Sequence, residues 1–117
     1  MRLMTVLTGI MICTTAPLAW AGGPVGHYAV DGTSVGSGPY TGTVEVTPTG
    51  DTYRVVWKIG SETFIGTGIG NDSFMAVSYA SGSTTGLALY SSENGDWSGI
   101  WAYGGGTTIS TENWTRR

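Results

Sequence analysis

The chain has 117 residues, among them 20 Gly, 5 Trp and 6 Tyr, with 11% charged residues, a formal net charge of −3 and one Cys. That length holds one domain with a single modest core, and its few charges and many aromatics exclude a disordered chain. A negative balance with no cluster of Lys or Arg lacks the electrostatic footprint of nucleic-acid or anionic-membrane binding.

The first element is an address. Met1-Arg2 forms a short positive region, Leu3 to Ile12 an apolar one, and Ala19-Trp20-Ala21 a small-x-small cleavage site before Gly22-Gly23. We read residues 1–21 as a cleaved signal peptide and 22–117 as one exported β domain, periplasmic or extracellular. A membrane span fits this stretch less well, because Thr5, Thr8, Thr14, Thr15 and Pro17 dilute it and no positive stop-transfer cluster follows. Cys13 leaves with the signal, so the domain is expected to stand without a disulfide.

Beyond residue 22 no window shows helical periodicity. Instead, runs of β-favouring residues end repeatedly in Gly, Asn, Asp or Ser. Eight such runs are predicted as strands: His27–Val30, Tyr40–Thr47, Thr52–Ile59, Thr63–Ile69, Phe74–Tyr79, Gly86–Tyr90, Trp97–Tyr103 and Thr108–Thr115. The fold class is therefore all-β, an antiparallel meander of eight short strands closing into a small up-and-down barrel of calycin or avidin type. A two-sheet β-sandwich is the alternative.

Turn chemistry sets two registers. A Gly60-Ser61 hairpin loop of the glycine-first type pairs Trp57 with Phe64, Val55 with Gly66 and Tyr53 with Gly68. A turn at Thr49-Gly50 pairs Val46 with Tyr53, Val44 with Val55 and Gly42 with Trp57. Both place Tyr53, Val55, Trp57, Phe64, Val44 and Val46 on the inner face as the expected core, with Met75, Val77 and Tyr79 joining them. Gly42, Gly66, Gly68 and Gly99 fall inside strands, where a missing side chain makes room for a neighbouring Trp or Tyr. With these side chains inside, a filled interior is expected.

Catalytic chemistry is poorly provided for. One His (His27) and no Cys after cleavage leave nothing for a Cys–His dyad or a multi-His metal site. The acids are scattered, and Asp51, Asp72, Glu93 and Asp96 fall in predicted turns, where carboxylates serve backbone geometry. No catalytic residue, no metal ligand and no cofactor is expected. Binding has more support: Trp97, Trp101, Tyr103 and Trp114 surround the flexible Gly104-Gly105-Gly106 turn. At a barrel mouth they would form an aromatic surface, and inside the barrel they would be core. An outward apolar strip of Val56, Ile65 and Ile69 is a candidate homodimer contact.

Two resemblances follow from the quoted residues. Gly26-His27-Tyr28, together with Arg116-Arg117 beside Trp114, is similar to the lipocalin and avidin pattern, in which a Gly-x-aromatic opens the first strand. In lipocalins a late Arg also packs across a Trp. The succession of Gly26–Gly32, Tyr40–Val44, Tyr53–Trp57, Phe64–Gly68, Met75–Tyr79, Gly86–Tyr90, Gly99–Trp101 and Thr111–Trp114 resembles a group of small exported bacterial β proteins, some labelled fibronectin-binding. That resemblance implies an exported domain that contacts a host matrix protein, and it carries no binding residues.

The leading expectation is a non-enzymatic module that engages a macromolecule, protein or glycan, through loops or a barrel edge. A carrier of a small hydrophobic ligand is the second reading, and a carboxylate-dependent hydrolase the third.

Overall fold

The computed structural model describes residues 23–117, so the signal-peptide reading of 1–21 lies outside the described residues. Eight strands follow in order: β1 (Gly26–Ser34), β2 (Gly38–Thr49), β3 (Thr52–Ile59), β4 (Glu62–Gly70), β5 (Phe74–Ser81), β6 (Thr84–Glu93), β7 (Asp96–Tyr103) and β8 (Ser110–Arg116). Each pairs antiparallel with the next, and β8 pairs with β1 to close the barrel. Closure leaves no sheet edge unpaired. The closed barrel is the architecture the meander predicts, and it replaces the sandwich alternative.

Short turns enforce the order. Gly50-Asp51, Gly60-Ser61 and Gly82-Ser83 each place a positive-φ glycine (φ 64, 62 and 59°) first in a two-residue loop, the pattern whose twist matches paired strands. Asn94-Gly95 has positive φ at both positions (54 and 90°), the other hairpin-favouring type.

The β3–β4 register agrees with the sequence reading at every pair, from Tyr53 opposite Gly68 to Lys58 opposite Thr63. The β2–β3 register does not. Its loop is Gly50-Asp51, so Val46 faces Val55 and Val44 faces Trp57, a slip of two residues from the expected pairing. A slip of two keeps every side chain on its face, so Val44, Val46, Val55 and Trp57 are buried as expected. Gly42 consequently lies by Ile59 instead of Trp57; a Cβ there would meet Lys58 O and Ile59. Tyr53 and Phe64, expected fully inside, are only partly buried against the core. Strands also run further than expected: Asp31–Ser34 belongs to β1, and Ser91–Glu93 to β6.

The interior is apolar and aromatic, with Tyr28, Val30, Met75, Val77, Tyr90, Trp97 and Trp114 at 3% exposure or less. Arg54, Lys58, Thr63 and Thr67 lie exposed outside. Among the described residues no helix is long and apolar enough to cross a membrane.

A recurrent pairing organises the interior. Gly32 lies opposite Tyr40, Gly86 opposite Tyr79 and Gly99 opposite Tyr90. In each pair a Cβ on the glycine would strike the tyrosine ring. The ring lies across its neighbouring strand because that strand has no side chain there. Gly66 serves Trp57 similarly, with the ring 3.2 Å from where a Cβ would stand.

The two ends of the barrel differ. At the end holding the β2–β3, β4–β5 and β6–β7 turns, Pro24, Tyr28, Val46, Met75 and Trp97 are fully buried and pack the section. Arg116 seals it by donating to Gly23 O, Val25 O, Gly95 O and the Tyr28 hydroxyl at 2.7–3.1 Å. Its guanidinium carbon stands 4.8 Å from the Tyr28 ring centre. The late arginine thus crosses a tyrosine of the first strand. The opposite end, which gathers the β1–β2, β3–β4, β5–β6 and β7–β8 connections, is open.

Candidate functional site: an aromatic cavity floored by Glu112

Strand periodicity points alternate β8 residues inward: Ser110, Glu112 and Trp114 are buried, with Arg116 half-buried at the sealed end. Glu112 is 5% exposed. An isolated carboxylate at that depth is costly unless hydrogen-bonded, and Glu112 collects four donors from four strands. Tyr40 of β2 donates its hydroxyl to Oε1 at 2.6 Å. Trp57 Nε1 of β3 (2.8 Å), the Tyr90 hydroxyl of β6 (2.7 Å) and Trp114 Nε1 of β8 itself (2.7 Å) all donate to Oε2. Every contact uses the carboxyl group as acceptor, the pattern of the ionised form.

The glycines explain how the donors reach it. Tyr40 crosses over Gly32 and Tyr90 over Gly99, which lets both hydroxyls converge on the barrel axis. Trp57 and Trp114 meet edge to face at 6.1 Å, and Tyr90 lies 4.2 Å from Trp114. These contacts lock the indole N–H groups in place.

Above this floor is a cavity of about 210 Å³. Its walls are Trp57, Phe64, Tyr79, Tyr90, Trp101 and Tyr40. Tyr103, Glu62 and Ser37 line its solvent-exposed rim, and Ser34 and Ile59 complete it. The wall rings contact one another: Phe64 and Tyr79 at 5.9 Å, Trp57 and Tyr79 at 5.7 Å, Trp101 and Tyr103 at 5.1 Å, each steeply tilted. The expectation of a filled interior is therefore corrected. Tyr40, Tyr79 and Tyr90 lie flat over glycines, and the volume they vacate is the cavity.

The phenols are held neutral. Burial pushes the Tyr40 and Tyr90 hydroxyls well up, and the neighbouring Glu112 charge pushes them further. Tyr79 is pushed up to about 12, chiefly by burial. Trp97 Nε1 and Trp101 Nε1 are buried with no hydrogen-bond acceptor.

The four aromatic residues singled out from the sequence do not form one surface. Trp97 and Trp114 are core, 2% and 1% exposed, paired across β7–β8 toward the sealed end. Trp101 and Tyr103 stand at the open end, Trp101 in the cavity wall and Tyr103 half-exposed on its rim. Alternation along β7 carries them from sealed end to mouth, so one face of one strand spans both environments. Glu112 escaped sequence reading. The available signal was its place two residues before Trp114, on the same face of the last strand.

His27 lies on the outside, 3.4 Å from Glu45, with 71% of its side chain exposed. Among the described residues no group of three or more His, Cys, Asp or Glu side chains is placed to hold a metal ion. Val56 and Ile65 are paired neighbours on the outer surface, with Ile69 four residues along. Ile69, Leu89 and Ile100 continue this exposed apolar row through Ala76.

No protein-family model matches the chain, and no curated protein matches it.

Proposed function

We propose that the protein is an exported, non-enzymatic binder of a small ligand, held in the open-ended cavity above Glu112. One observation carries this reading: the barrel is packed solid at one end and hollow at the other. An eight-stranded barrel either fills its interior or keeps room for one small ligand. An apolar protein cavity of about 150 Å³ accommodates benzene, so about 210 Å³ suits a molecule with a single ring and a short substituent. Aromatic walls with one convergent polar group are the usual composition of such a site. A binding role is favoured over hydrolysis because Glu112 is already engaged by four donors, and the one His faces away from the cavity.

The macromolecular reading retains one specific support. Val35, Tyr103 and Ile109, in or beside the β1–β2 and β7–β8 connections at the mouth, are 57, 50 and 56% exposed. An apolar rim of this kind also fits a protein or glycan partner docking over the opening.

Native mass spectrometry of the protein purified from its own host tests the proposal. The expected result is an added mass of small-molecule size that disappears on denaturation. A bare protein whose tryptophan emission also stays unchanged across a panel of water-soluble single-ring compounds would overturn it.

A further inference from the structure

We infer that the ligand of this cavity is an organic cation, a small aromatic or alkyl amine whose ammonium group faces Glu112. The inference rests on the small-ligand reading and adds the charge of the ligand to it. Among the described residues two carboxylates, Glu112 on the floor and Glu62 on the rim, line the cavity, and no Lys, Arg or His does. The basic residues of the described chain lie elsewhere: Arg54 and Lys58 outside, Arg116 at the sealed end and Arg117 at the terminus.

Glu112 has neutral hydrogen-bond donors and no cation. Among the described residues the one ion-pair contact is the surface pair His27–Glu45, so none of them compensates the charge on the barrel axis. Glu112 is only 5% exposed, and an opposite charge reaching a group so shielded from solvent is attracted far more strongly than at the surface. The Glu112 oxygens are also unequally used. Three donors crowd Oε2, and one reaches Oε1, which leaves Oε1 with unused acceptor capacity.

The walls select in the same direction. The faces of Trp, Tyr and Phe rings carry negative electrostatic potential and attract cations that have been stripped of water. Trp57, Phe64, Tyr79 and Trp101 present such rings around the volume above the carboxylate. An anionic ligand would meet two like charges and the same ring faces, with no positive group to offset them.

Three matched, water-soluble probes separate this inference from the reading beneath it: phenethylamine, 2-phenylethanol and phenylacetate, titrated by calorimetry and tryptophan fluorescence into the purified protein. The amine is expected to bind at least about tenfold more tightly than the alcohol, and the acid not at all. Amine affinity should fall in Glu62→Gln, an exposed rim change that leaves the interior intact, while alcohol affinity stays the same. Equal binding of amine and alcohol, or preferred binding of the acid, would overturn the charge assignment and leave the cavity reading standing. Failure of all three to bind would overturn both.

Discussion

Trp57 Nε1 donates to Glu112 Oε2 at 2.8 Å across 55 positions of sequence, joining β3 to β8 through the middle of the barrel. With the donors from Tyr40, Tyr90 and Trp114, this bond makes one carboxylate the meeting point of four strands. The same group floors the cavity, so the chemistry that orders the barrel also sets the polarity of its site.

The first prediction concerns that carboxylate. Glu112→Gln keeps the size of the side chain but turns an amide N–H₂ or a weaker, neutral acceptor toward donors that now meet an ionised oxygen. A buried donor left without a partner costs about 1–3 kcal/mol, so the loss expected in urea unfolding is about 3 kcal/mol. Glu112→Leu, which strands all four donors, should cost more. A loss under about 1 kcal/mol in Gln would show that the four bonds do not hold the barrel together.

Trp57 is the second. It is 4% exposed, packs on Tyr79 and Trp114, and is one of the four donors. Trp57→Ala should cost about 3–5 kcal/mol by lost burial and residual cavity, a large part of the roughly 5–15 kcal/mol a domain of this size has in total. Chemical unfolding against the parent chain measures it directly.

The glycine–tyrosine pairing makes a third. At Gly99 a Cβ would strike the Tyr90 ring and approach Leu89 O to 2.7 Å. The ring cannot yield without breaking its bond to Glu112. Gly99→Ala should therefore destabilise by about 1–3 kcal/mol through overpacking, although alanine has the higher strand propensity. A neutral result in thermal unfolding would mean that Tyr90 moves freely.

Alkaline pH supplies the fourth. Burial is the largest cause raising Tyr28, Tyr40, Tyr79 and Tyr90 above the ordinary value of 10.0, with Tyr79 at about 12. Glu112 adds to the rise at the last three, whereas Arg116 opposes it at Tyr28. Above pH 10 the unfolded chain releases phenolic protons that the folded chain retains. The unfolded state then binds fewer protons, and stability falls as pH rises. The stabilisation is fully present below pH 10 and is lost as pH climbs through 12 and beyond. Urea midpoints should be flat in this respect up to about pH 9 and drop between pH 10 and 12, together with the tyrosinate absorbance change. A midpoint that stays constant to pH 12 would contradict the burial of these hydroxyls.

Local chemistry made much of the barrel legible. Gly60-Ser61 determined the β3–β4 register because a glycine that begins a two-residue loop leaves few alternatives. The neighbouring turn misled for a related reason. Thr49-Gly50 and Gly50-Asp51 both contain the glycine, and only the latter places its positive φ at the first loop position. The first strand is expected to end at Val30, yet Gly32 sits mid-strand because Tyr40 needs its empty face.

The candidate site was less legible because it arises from closure. Tyr40, Trp57, Tyr90 and Glu112 belong to four separate runs, and no spacing along the chain shows that they converge. Alternation on β7 puts Trp97, Trp101 and Tyr103 on one face, but that face runs from a sealed end to an open one. Which end is sealed depends on Pro24 and Arg116, residues at opposite ends of the described chain.

The most direct test of the account is a two-dimensional NMR titration with phenethylamine that follows the indole N–H signals. Trp57 and Trp101, in the cavity wall, are expected to shift with a common affinity while Trp97, at the sealed end, does not move. Shifts centred on Trp97, or no shift at any indole, would contradict a ligand site above Glu112.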